Sequence, residues 1–543
     1  MKAKSMLALA ALLPGIVPQA GAGMPQTNKD WRHPALERQR RVIFNNDGND
    51  PITKSQSVSV KELLRSRTQA LAGTQVDVIS YCTFCAGFGN FTHFTKIGNV
   101  FTTTEAPFTR NKTAEYFAAG IDPLAVMVDY AHAHNKECFW SMRMNDTHDA
   151  SLNPQGNATL FRNNPLKQKH PEYLMGRPDE NPRRPSWSAV NYSVPEVREL
   201  AFRFFEEVCR NYDTDGVEMD FFRHPVFFKA TTDRKPVTDV ECAQMTELLR
   251  RIRQMADETG RKRGRPILIA ARVPDSVEYC ADIGLDLEKW MAGDLIDILI
   301  VSGYFQINDW EYSVALAKKH GLRVYASLDE SRLADEVAKK RRGSDLAYRG
   351  RAANAWSAGM DGVYLFNLFD PRRGIWNEMG APDSLARLDK DYFASIRGPA
   401  KAAGGNLDYK QYQGAEVFSP DASKVIAPGE NARARLRTGE NPAANPTAVP
   451  TLRLVFAKPP EWRKITVRIN GRKPGKILST GKLADKPAKM DKSFKSGWHM
   501  TLEVAPAQII EGYNDIAVTL AASARAPAIW SDVILEVRHP ASH

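Results

Sequence analysis

Cysteine is scarce in this sequence, and several signatures of small or metal-bound proteins are missing. Only six cysteines occur among 543 residues, too few for a disulfide scaffold in a chain of this length. Cys82 and Cys85 have redox-motif spacing, but they end a predicted strand, which favours packing or one local bridge. No cysteine–histidine grouping has zinc-finger spacing, and no internal repeat occurs. The sequence therefore excludes a disulfide-rich miniprotein, a zinc finger and a repeat array.

Long apolar runs are also missing beyond the N-terminus. Lys2 and Lys4 precede an apolar run over residues 6–17, and Ala20-Gly21-Ala22 is typical of a cleavage site. This run is too short for an ordinary membrane helix, which needs roughly 18 apolar residues or more. We therefore expect residues 1–22 to be a signal peptide, the protein to be secreted or periplasmic, and no membrane span to follow.

Acidic residues are outnumbered by basic ones. The formal net charge is +11, and the sequence pI is about 9.2. A basic exported protein can favour an anionic partner such as a sulfated or uronic-acid glycan, but a solvated basic surface explains the same balance. No nucleic-acid partner is expected.

Short apolar runs alternate with helical patterns between residues 40 and 397. Strands alternating with helices indicate parallel pairing through right-handed crossovers, and eight of them in roughly 360 residues predict a (β/α)₈ TIM barrel. An open doubly wound sheet is the alternative, but no glycine-rich dinucleotide fingerprint follows any strand. The predicted strands are residues 41–46, 76–81, 137–142, 216–221, 266–271, 295–301, 322–327 and 362–367. The helical patterns include residues 113–135, 194–212, 239–259 and 384–397.

The pattern changes after residue 397. Residues 398–414 are rich in glycine and alanine at their start and predict a linker. Short strand-like runs separated by turn residues follow, and they predict a small all-β sandwich over residues 415–543. Asn470-Gly471 is a hairpin signal within it. The predicted organisation is therefore a signal peptide at 1–22, a catalytic barrel at 23–397, a linker and an accessory sandwich.

The fourth predicted strand carries two carboxylates on one face. Val217 and Met219 point one way and Glu218 and Asp220 the other, because side chains alternate along a strand. Both acids should face the barrel axis near its carboxyl end, about 7 Å apart. Like charges this close raise one pKa, which suits an acid and a base, although Glu218 can instead pair with a core arginine and orient Asp220.

Other strand ends supply further polar residues. Active sites of such barrels lie at the carboxyl ends of the strands. Asp329 and Glu330 follow the seventh strand and are the candidate catalytic partners of Asp220, since glycoside hydrolysis uses a pair of carboxylates. The candidate substrate-binding residues are Arg143, Asp146, His148, Trp187, Arg223, Arg272, Tyr304 and Asn367.

Aromatic residues crowd the same strand ends. Sugar rings stack on aromatic faces, so the pattern suits a carbohydrate cleft, while core packing is the alternative for about half of them. They are Phe84, Phe88, Phe91, Trp140, Trp187, Tyr192, Phe221, Phe222, Tyr304, Phe305 and Trp310.

Two segments resemble the glycosyl-hydrolase-like family 10 barrels. Asp-Gly-Val-Glu-Met-Asp-Phe-Phe-Arg-His-Pro at 215–225 is similar to that family's Asp-Gly-(apolar)-His-(apolar)-Asp-Tyr-(any)-Arg-Tyr-Pro signature. Asn-Tyr-Ser-Val-Pro-Glu-Val-Arg at 191–198 is similar to its Asn-Pro-(any)-(any)-Pro-Glu-Val-Arg element. Asp220, Arg223 and Pro225 match by position, whereas Glu218 stands where the family commonly has His or Gln.

The resemblance implies a secreted TIM barrel that hydrolyses glycans, often with a following β-sandwich. A looser likeness to chitinase-type barrels lacks their catalytic acid, because Phe222 stands at its position.

The prediction is thus a secreted glycoside hydrolase that cleaves O-glycosidic bonds of a polysaccharide, with no cofactor and no metal. The alternatives are a non-catalytic glycan-binding barrel and a metal-dependent barrel hydrolase that uses His93, His148 and aspartates.

Overall fold

The computed structural model describes residues 29–150, 163–177, 185–329, 333, 335–394, 407, 409–483 and 497–539. Eight parallel strands pair in sequence order and close on themselves, so the TIM-barrel prediction is confirmed. The strands are Val42–Asn46, Val76–Tyr81, Glu137–Arg143, Gly216–Asp220, Leu268–Val273, Ile298–Val301, Arg323–Leu328 and Gly362–Leu365. The signal peptide predicted at 1–22 and linker residues 398–406 lie outside the described residues.

The barrel strands are buried on both faces. Every residue of the fourth strand and of the sixth, Ile298–Val301, is buried. Continuous apolar runs such as Ile-Leu-Ile-Val are typical of parallel strands covered by helices. An acidic residue on the inner face of such a strand must therefore find hydrogen-bond donors inside the barrel.

Helices cover the outside of the barrel, and local signals set their ends. The longest, Asp239–Arg263, begins with a capping box between Thr238 and Glu241 and ends at Gly264, which has a φ of 76°. The α-helices are Lys29–Leu36, Asp50–Thr53, Val60–Arg65, Thr113–Ala118, Pro123–Ala133, Pro165–Lys169, Pro195–Asn211, Lys229–Thr232, Asp239–Arg263, Val277–Asp282, Leu287–Ala292, Trp310–His320, Glu336–Arg342, Asp345–Ser357 and Pro382–Leu385.

The single helix predicted over residues 113–135 is two helices. Gly120 has a φ of 70° and follows the end of the first helix. Asp122 then caps the second helix by accepting a hydrogen bond from the N–H of Leu124 at 2.9 Å, and Pro123 occupies its first turn. The apolar spacing continues across this break, which is why the pattern alone predicts one helix.

A β-sandwich follows the barrel, as predicted. Its first sheet contains Lys390–Phe393, Lys424–Ile426, Val449–Phe456, Ile477–Lys482, Trp498–Glu503 and Ala528–Arg538, and its second contains Asn431–Thr438, Ile465–Ile469 and Gly512–Leu520. Asn470 and Gly471 both have positive φ, and Ile469 and Arg472 exchange backbone hydrogen bonds across them. The turn is therefore confirmed, but the predicted hairpin is wrong, because the flanking strands Ile465–Ile469 and Ile477–Lys482 belong to different sheets.

The helix predicted over residues 384–397 is wrong for residues 390–393. These residues form a strand that pairs antiparallel with Ala528–Arg538, in the sandwich. Lys390 Nζ lies 3.1 Å from a carboxylate oxygen of Glu440, and the Tyr392 hydroxyl donates to the other oxygen at 2.7 Å. The partners are distant in sequence, so helical spacing cannot reveal them.

All six cysteines are free and buried. Packing, one of the two interpretations of Cys82 and Cys85, is therefore confirmed. In the described ranges, no helix combines the length and the apolar character that a membrane crossing requires.

An arginine network closes the bottom of the barrel. Arg32, on the helix Lys29–Leu36, is buried and lies 2.8 Å from Asp297, 2.6 Å from Asp294 and 3.2 Å from Asp257. Asp297 also accepts from Arg253 and from the backbone N–H of Ile269. The N-terminal helix is thus fixed by one side chain to two other parts of the barrel.

We expect Arg32→Met to lower the free energy of unfolding by about 3 kcal/mol, because it removes one partner of a buried ion pair. The free energy is measured by urea denaturation. Arg38→Met is the matched control, since Arg38 is exposed and donates one hydrogen bond to the carbonyl of Asn135; its change should stay within about 0.5 kcal/mol. Equal losses in both variants would contradict the assignment.

Candidate active site

Glu218 lies inside the barrel below the carboxyl ends of the strands. It is 1% exposed. Three hydroxyl groups donate hydrogen bonds to its carboxylate, from Ser80 at 2.5 Å, Ser141 at 2.9 Å and Tyr364 at 2.9 Å. These donors come from the second, third and eighth strands. The barrel therefore satisfies this acid with neutral donors, and no cation among the described residues contacts it directly.

The environment of Glu218 disfavours its charge. The pKa of Glu218 is raised to about 7, first by burial and then by the nearby charge of Asp220, while the hydrogen bond from Ser80 and the charge of Arg272 act in the opposite direction. Glu218 consequently exchanges its proton near neutral pH.

Asp220 occupies the next inward position of the same strand. In register, its neighbours are Arg143 on the third strand and Arg272 on the fifth. Arg272 Nη1 lies 3.2 Å from Asp220 Oδ2, and the backbone N–H groups of Phe222 and Arg223 donate to Oδ1 at 2.9 and 3.0 Å. The carboxylate is held in one orientation by three donors.

Arg272 is a buried cation in an aromatic surround. Its guanidinium carbon lies 3.9 Å from the ring centre of Phe366, 5.1 Å from that of Phe222 and 5.2 Å from that of Tyr364. Nε and Nη2 find no hydrogen-bond acceptor among the described residues. A Cβ on Gly303 would come within 2.7 Å of Nη2, so glycine leaves space beside these N–H groups.

The loop after the third strand carries a charged chain of contacts. Arg143 lies 2.5 Å from Asp47 and 3.0 Å from Asp146. Asp146 also contacts Nδ1 of His148 at 2.7 Å, and Nε2 of His148 lies 2.6 Å from Nη2 of Arg223. Burial would raise the pKa of Asp146, but the charges of His148 and Arg143 hold it well below its usual range.

The chain of contacts continues to the sixth and eighth strands. The Arg223 guanidinium lies 5.3 Å from the ring centre of Tyr304, and Asn367 Nδ2 donates to the Tyr304 hydroxyl at 3.4 Å. Tyr304 and Asp329 line one cavity of about 110 Å³, and the sandwich residue Tyr513 forms part of its wall. The strand ends and the sandwich thus meet beside Asp329.

Most of the predicted site residues therefore belong to one contiguous region. Arg143, Asp146, His148, Arg223, Tyr304 and Asn367 are linked by the contacts above, Arg272 joins Asp220, and Asp329 shares a cavity with Tyr304. Trp187 is buried in the short helix Pro185–Ser188. Glu330 lies outside the described residues.

The aromatic residues predicted to lie at the strand ends are largely core residues. All of them except Trp310 are buried. Many pack against other rings, as Phe91 does against Phe84 at 4.9 Å and Phe222 against Phe305 at 4.6 Å. Core packing, the alternative explanation, accounts for these contacts.

Asp146, His148 and His224 bring three ligand atoms within 4.8 Å of one another. A histidine binds a metal in its neutral form, and burial and the charge of Arg223 favour that form of His224 by holding its pKa well below its usual range. The charges around the group suit a metal poorly, since Asp146 already contacts Arg143 and the Arg223 guanidinium approaches His148. His93, the other histidine of the metal alternative, lies apart, buried and bonded to Thr83 at 2.7 Å.

Three residues around Glu218 were missed from the sequence. They are Ser80, Ser141 and Tyr364, each a single polar residue within a largely apolar strand. None of them belongs to a recognisable sequence motif. Their inward positions could have been found by counting alternate residues along each predicted strand. Their convergence on one carboxylate depends on the register between strands.

Comparisons with known proteins are distant. No protein-family model and no curated protein matches the chain. It resembles the alpha-L-fucosidase isoenzyme 2 from Paenibacillus thiaminolyticus, at 13% identity over 64% of this chain and 49% of that chain, with a TM-score of 0.38. It also resembles the PgaB (BpsB) glycoside hydrolase domain from Bordetella bronchiseptica, at 9% identity over 64% and 97% of the two chains and a TM-score of 0.36.

A third similar structure is the chitinase ChiA74 from Bacillus thuringiensis, at 9% identity over 91% of this chain and 100% of that chain, with a TM-score of 0.35. The chain spans about half the length of the fucosidase. Likenesses of this extent carry no argument about the activity of this chain.

The raised pKa of Glu218 predicts a pH-dependent stability. The folded protein binds this proton more tightly than the unfolded chain does, so stability is lost as pH rises from about 4.5 to about 7. Glu218→Gln should remove this part of the loss, up to about 3 kcal/mol. The measurement is the free energy of unfolding at pH 5 and pH 7.5 for both proteins.

Other buried acids supply an internal control for this comparison. Burial raises the pKa of Asp50 and of Asp275 to about 6, and both remain in the variant. The difference between wild type and variant therefore isolates Glu218. An identical pH dependence in both proteins would contradict the assignment.

Proposed function

We propose that this chain is a glycoside hydrolase that cleaves O-glycosidic bonds of an anionic polysaccharide. The observation that carries the proposal is the position of Asp220, a carboxylate at the carboxyl end of the fourth strand that is fixed by Arg272 and two backbone N–H groups. This end of a TIM barrel is where catalytic groups are found. Glycoside hydrolysis needs a fixed carboxylate together with a proton donor.

Asp220 is the nucleophile or the general base in this proposal. Three hydrogen-bond donors, the Arg272 guanidinium and two backbone N–H groups, fix the orientation of its carboxylate. A carboxylate held in this way can attack the anomeric carbon directly or remove a proton from an attacking water. Which of these occurs determines whether the product retains the anomeric configuration.

The proton donor comes from the end of the seventh strand in our proposal. Asp329 is buried and lines the cavity that Tyr304 shares, and Glu330 follows it in the sequence. A carboxylic acid at this place would donate its proton to the leaving oxygen of the glycosidic bond. Glu218 is the alternative donor, favoured by its pKa of about 7, but its three hydroxyl partners enclose it below Asp220.

Three arginines are the proposed contacts of an acidic substrate, of which Arg143 also pairs with Asp47 and Asp146, and Arg272 with Asp220. Arg143, Arg223 and Arg272 lie at or near the level of Asp220, and guanidinium groups bind carboxylates and sulfates through paired hydrogen bonds. The remaining proposed substrate contacts are Asp146, His148, Trp187, Tyr304 and Asn367. The segments at 191–198 and 215–225 support membership of the glycosyl-hydrolase-like family 10 barrels, and the pattern at 1–22 supports secretion.

We expect Asp220→Asn to lower kcat by about 10²–10⁴-fold on a cleaved polysaccharide, because the amide keeps the shape but cannot act as nucleophile or base. The measurement is reducing-sugar release from neutral, uronic and sulfated glycans, with circular dichroism as the check on folding. Asp383→Asn is the matched control on an exposed helix and should keep full activity.

Two outcomes would decide for one of the alternatives over a metal-independent hydrolase. Glycan binding without turnover on any substrate by the wild type would establish the non-catalytic glycan-binding barrel. Loss of turnover after exhaustive chelation, restored by a divalent metal, would establish the metal-dependent alternative.

Substrates with different leaving groups should identify the proton donor. An aryl glycoside with an acidic phenol needs little protonation, so the variant that lacks the donor should keep activity on it and lose at least tenfold more on the polysaccharide. We expect this selective loss for Asp329→Asn or Glu330→Gln. The same selective loss in Glu218→Gln alone would transfer the role to Glu218.

A further inference from the structure

A second cleft lies near the mouth of the barrel, beyond the residues proposed for catalysis. Its cavity volume is about 530 Å³. Its walls come from the end of the helix Asp50–Thr53, the end of the helix Val60–Arg65 and the loop after the eighth strand. We call it the arginine cleft, and it is lined by Lys54, Arg65, Arg67, Arg110, Phe369 and Arg372.

Positive charge exceeds negative charge in the arginine cleft. Arg65 pairs with Glu62 and Arg372 with Asp370, at 2.5 and 3.1 Å. Lys54 and Arg110 are exposed, and neither has a carboxylate within ion-pair distance in the part of the chain that the structure describes. Two cations therefore remain after the acids nearby have been paired.

Arg67 is the buried cation at the base of this cleft. It is 7% exposed, its Nε lies 3.3 Å from Asp50, and its guanidinium carbon lies 4.3 Å from the ring centre of Phe369. Nε and Nη1 nevertheless make no hydrogen bond to any described residue. Buried guanidinium N–H groups are expected to be hydrogen-bonded, so their availability here points to a ligand with oxygen acceptors.

The arginine cleft is electrostatically continuous with the candidate active site. Desolvation would raise the pKa of Asp47, but the charges of Arg143, Arg67 and Arg223 lower it. Asp47 thus lies within the field of Arg67 and also binds Arg143 at 2.5 Å.

We propose that the arginine cleft is a subsite that binds an acidic substituent, a carboxylate or a sulfate ester, of the polysaccharide. This inference rests on the proposed function, because it places one sugar of the substrate outside the reacting pair. The Arg67 guanidinium lines the cleft and stacks on Phe369, so it can donate charge-assisted hydrogen bonds to such a group. The volume of about 530 Å³ is in the range of small-molecule sites, roughly 300–1,000 Å³, and exceeds what one inorganic anion fills.

Calorimetric titration of the full chain tests the subsite. The probes are a heparin-derived hexasaccharide, hexagalacturonate, neutral maltohexaose and sodium sulfate. We expect at least one acidic hexasaccharide to bind about tenfold more tightly than maltohexaose, and this preference to fall as NaCl is raised. The double variant Lys54→Gln, Arg110→Gln and the single variant Arg67→Lys should each weaken acidic binding by roughly tenfold.

Matched controls separate a specific site from general basicity. Arg472→Gln removes one exposed charge beside the Asn470-Gly471 turn of the sandwich and should leave the affinity unchanged. Arg67→Lys keeps a cation beside Asp50, and its urea midpoint reports whether the fold is intact. The double variant alters exposed residues alone, so it tests the subsite even if Arg67→Lys unfolds.

Three results would overturn the subsite. They are equal affinity for acidic and neutral hexasaccharides, an equal effect of Arg472→Gln, and binding of sodium sulfate as tight as that of the hexasaccharides, which would indicate a free-anion site. Repeating the titration with Asp220→Asn separates this inference from the proposed function. Acidic binding without hydrolysis by wild type would retain the subsite and reject the hydrolase, whereas hydrolysis unaffected by the cleft variants would do the reverse.

Discussion

The structure depends on how a parallel barrel accommodates two acids on the inner face of one strand. Glu218 and Asp220 are almost fully buried, at 1% and 2% exposed, so each carboxylate needs hydrogen-bond donors from the protein. Glu218 receives three hydroxyl groups and Asp220 receives Arg272 with two backbone N–H groups. Inside the barrel, the donors around Glu218 are therefore uncharged hydroxyl groups, whereas nearer the mouth Asp220 is paired with a cation.

The sequence predicts the barrel because its signals are local and repeated. Each strand is a short buried run, and parallel pairing follows from the order of strands and helices. The misassigned segments are those decided by distant partners or by single residues. Residues 390–393 form a strand because Ala528–Arg538 offers a free edge, and the helix predicted at 113–135 breaks where Gly120 adopts a positive φ.

The candidate site was predictable to the extent that alternation along a strand determines direction. Asp220 and Arg272 could be placed on the inner face in this way. The hydroxyl groups around Glu218, and the contact of His148 with Arg223, depend on register and on loop conformation across the barrel. Arg67 was not predicted, because it lies in a loop segment before the second strand and its partner Phe369 is some 300 positions away.

The strand Lys390–Phe393 has a mechanical consequence for the cavity beside Asp329. The chain enters the sandwich sheet directly after the last barrel elements, and Tyr392 and Phe393 form one wall of that cavity. Backbone hydrogen bonds to Ile534 and its neighbours hold this wall. Because this wall is a strand of the sandwich sheet, the shape of the cavity beside Asp329 depends on how the sandwich packs against the barrel.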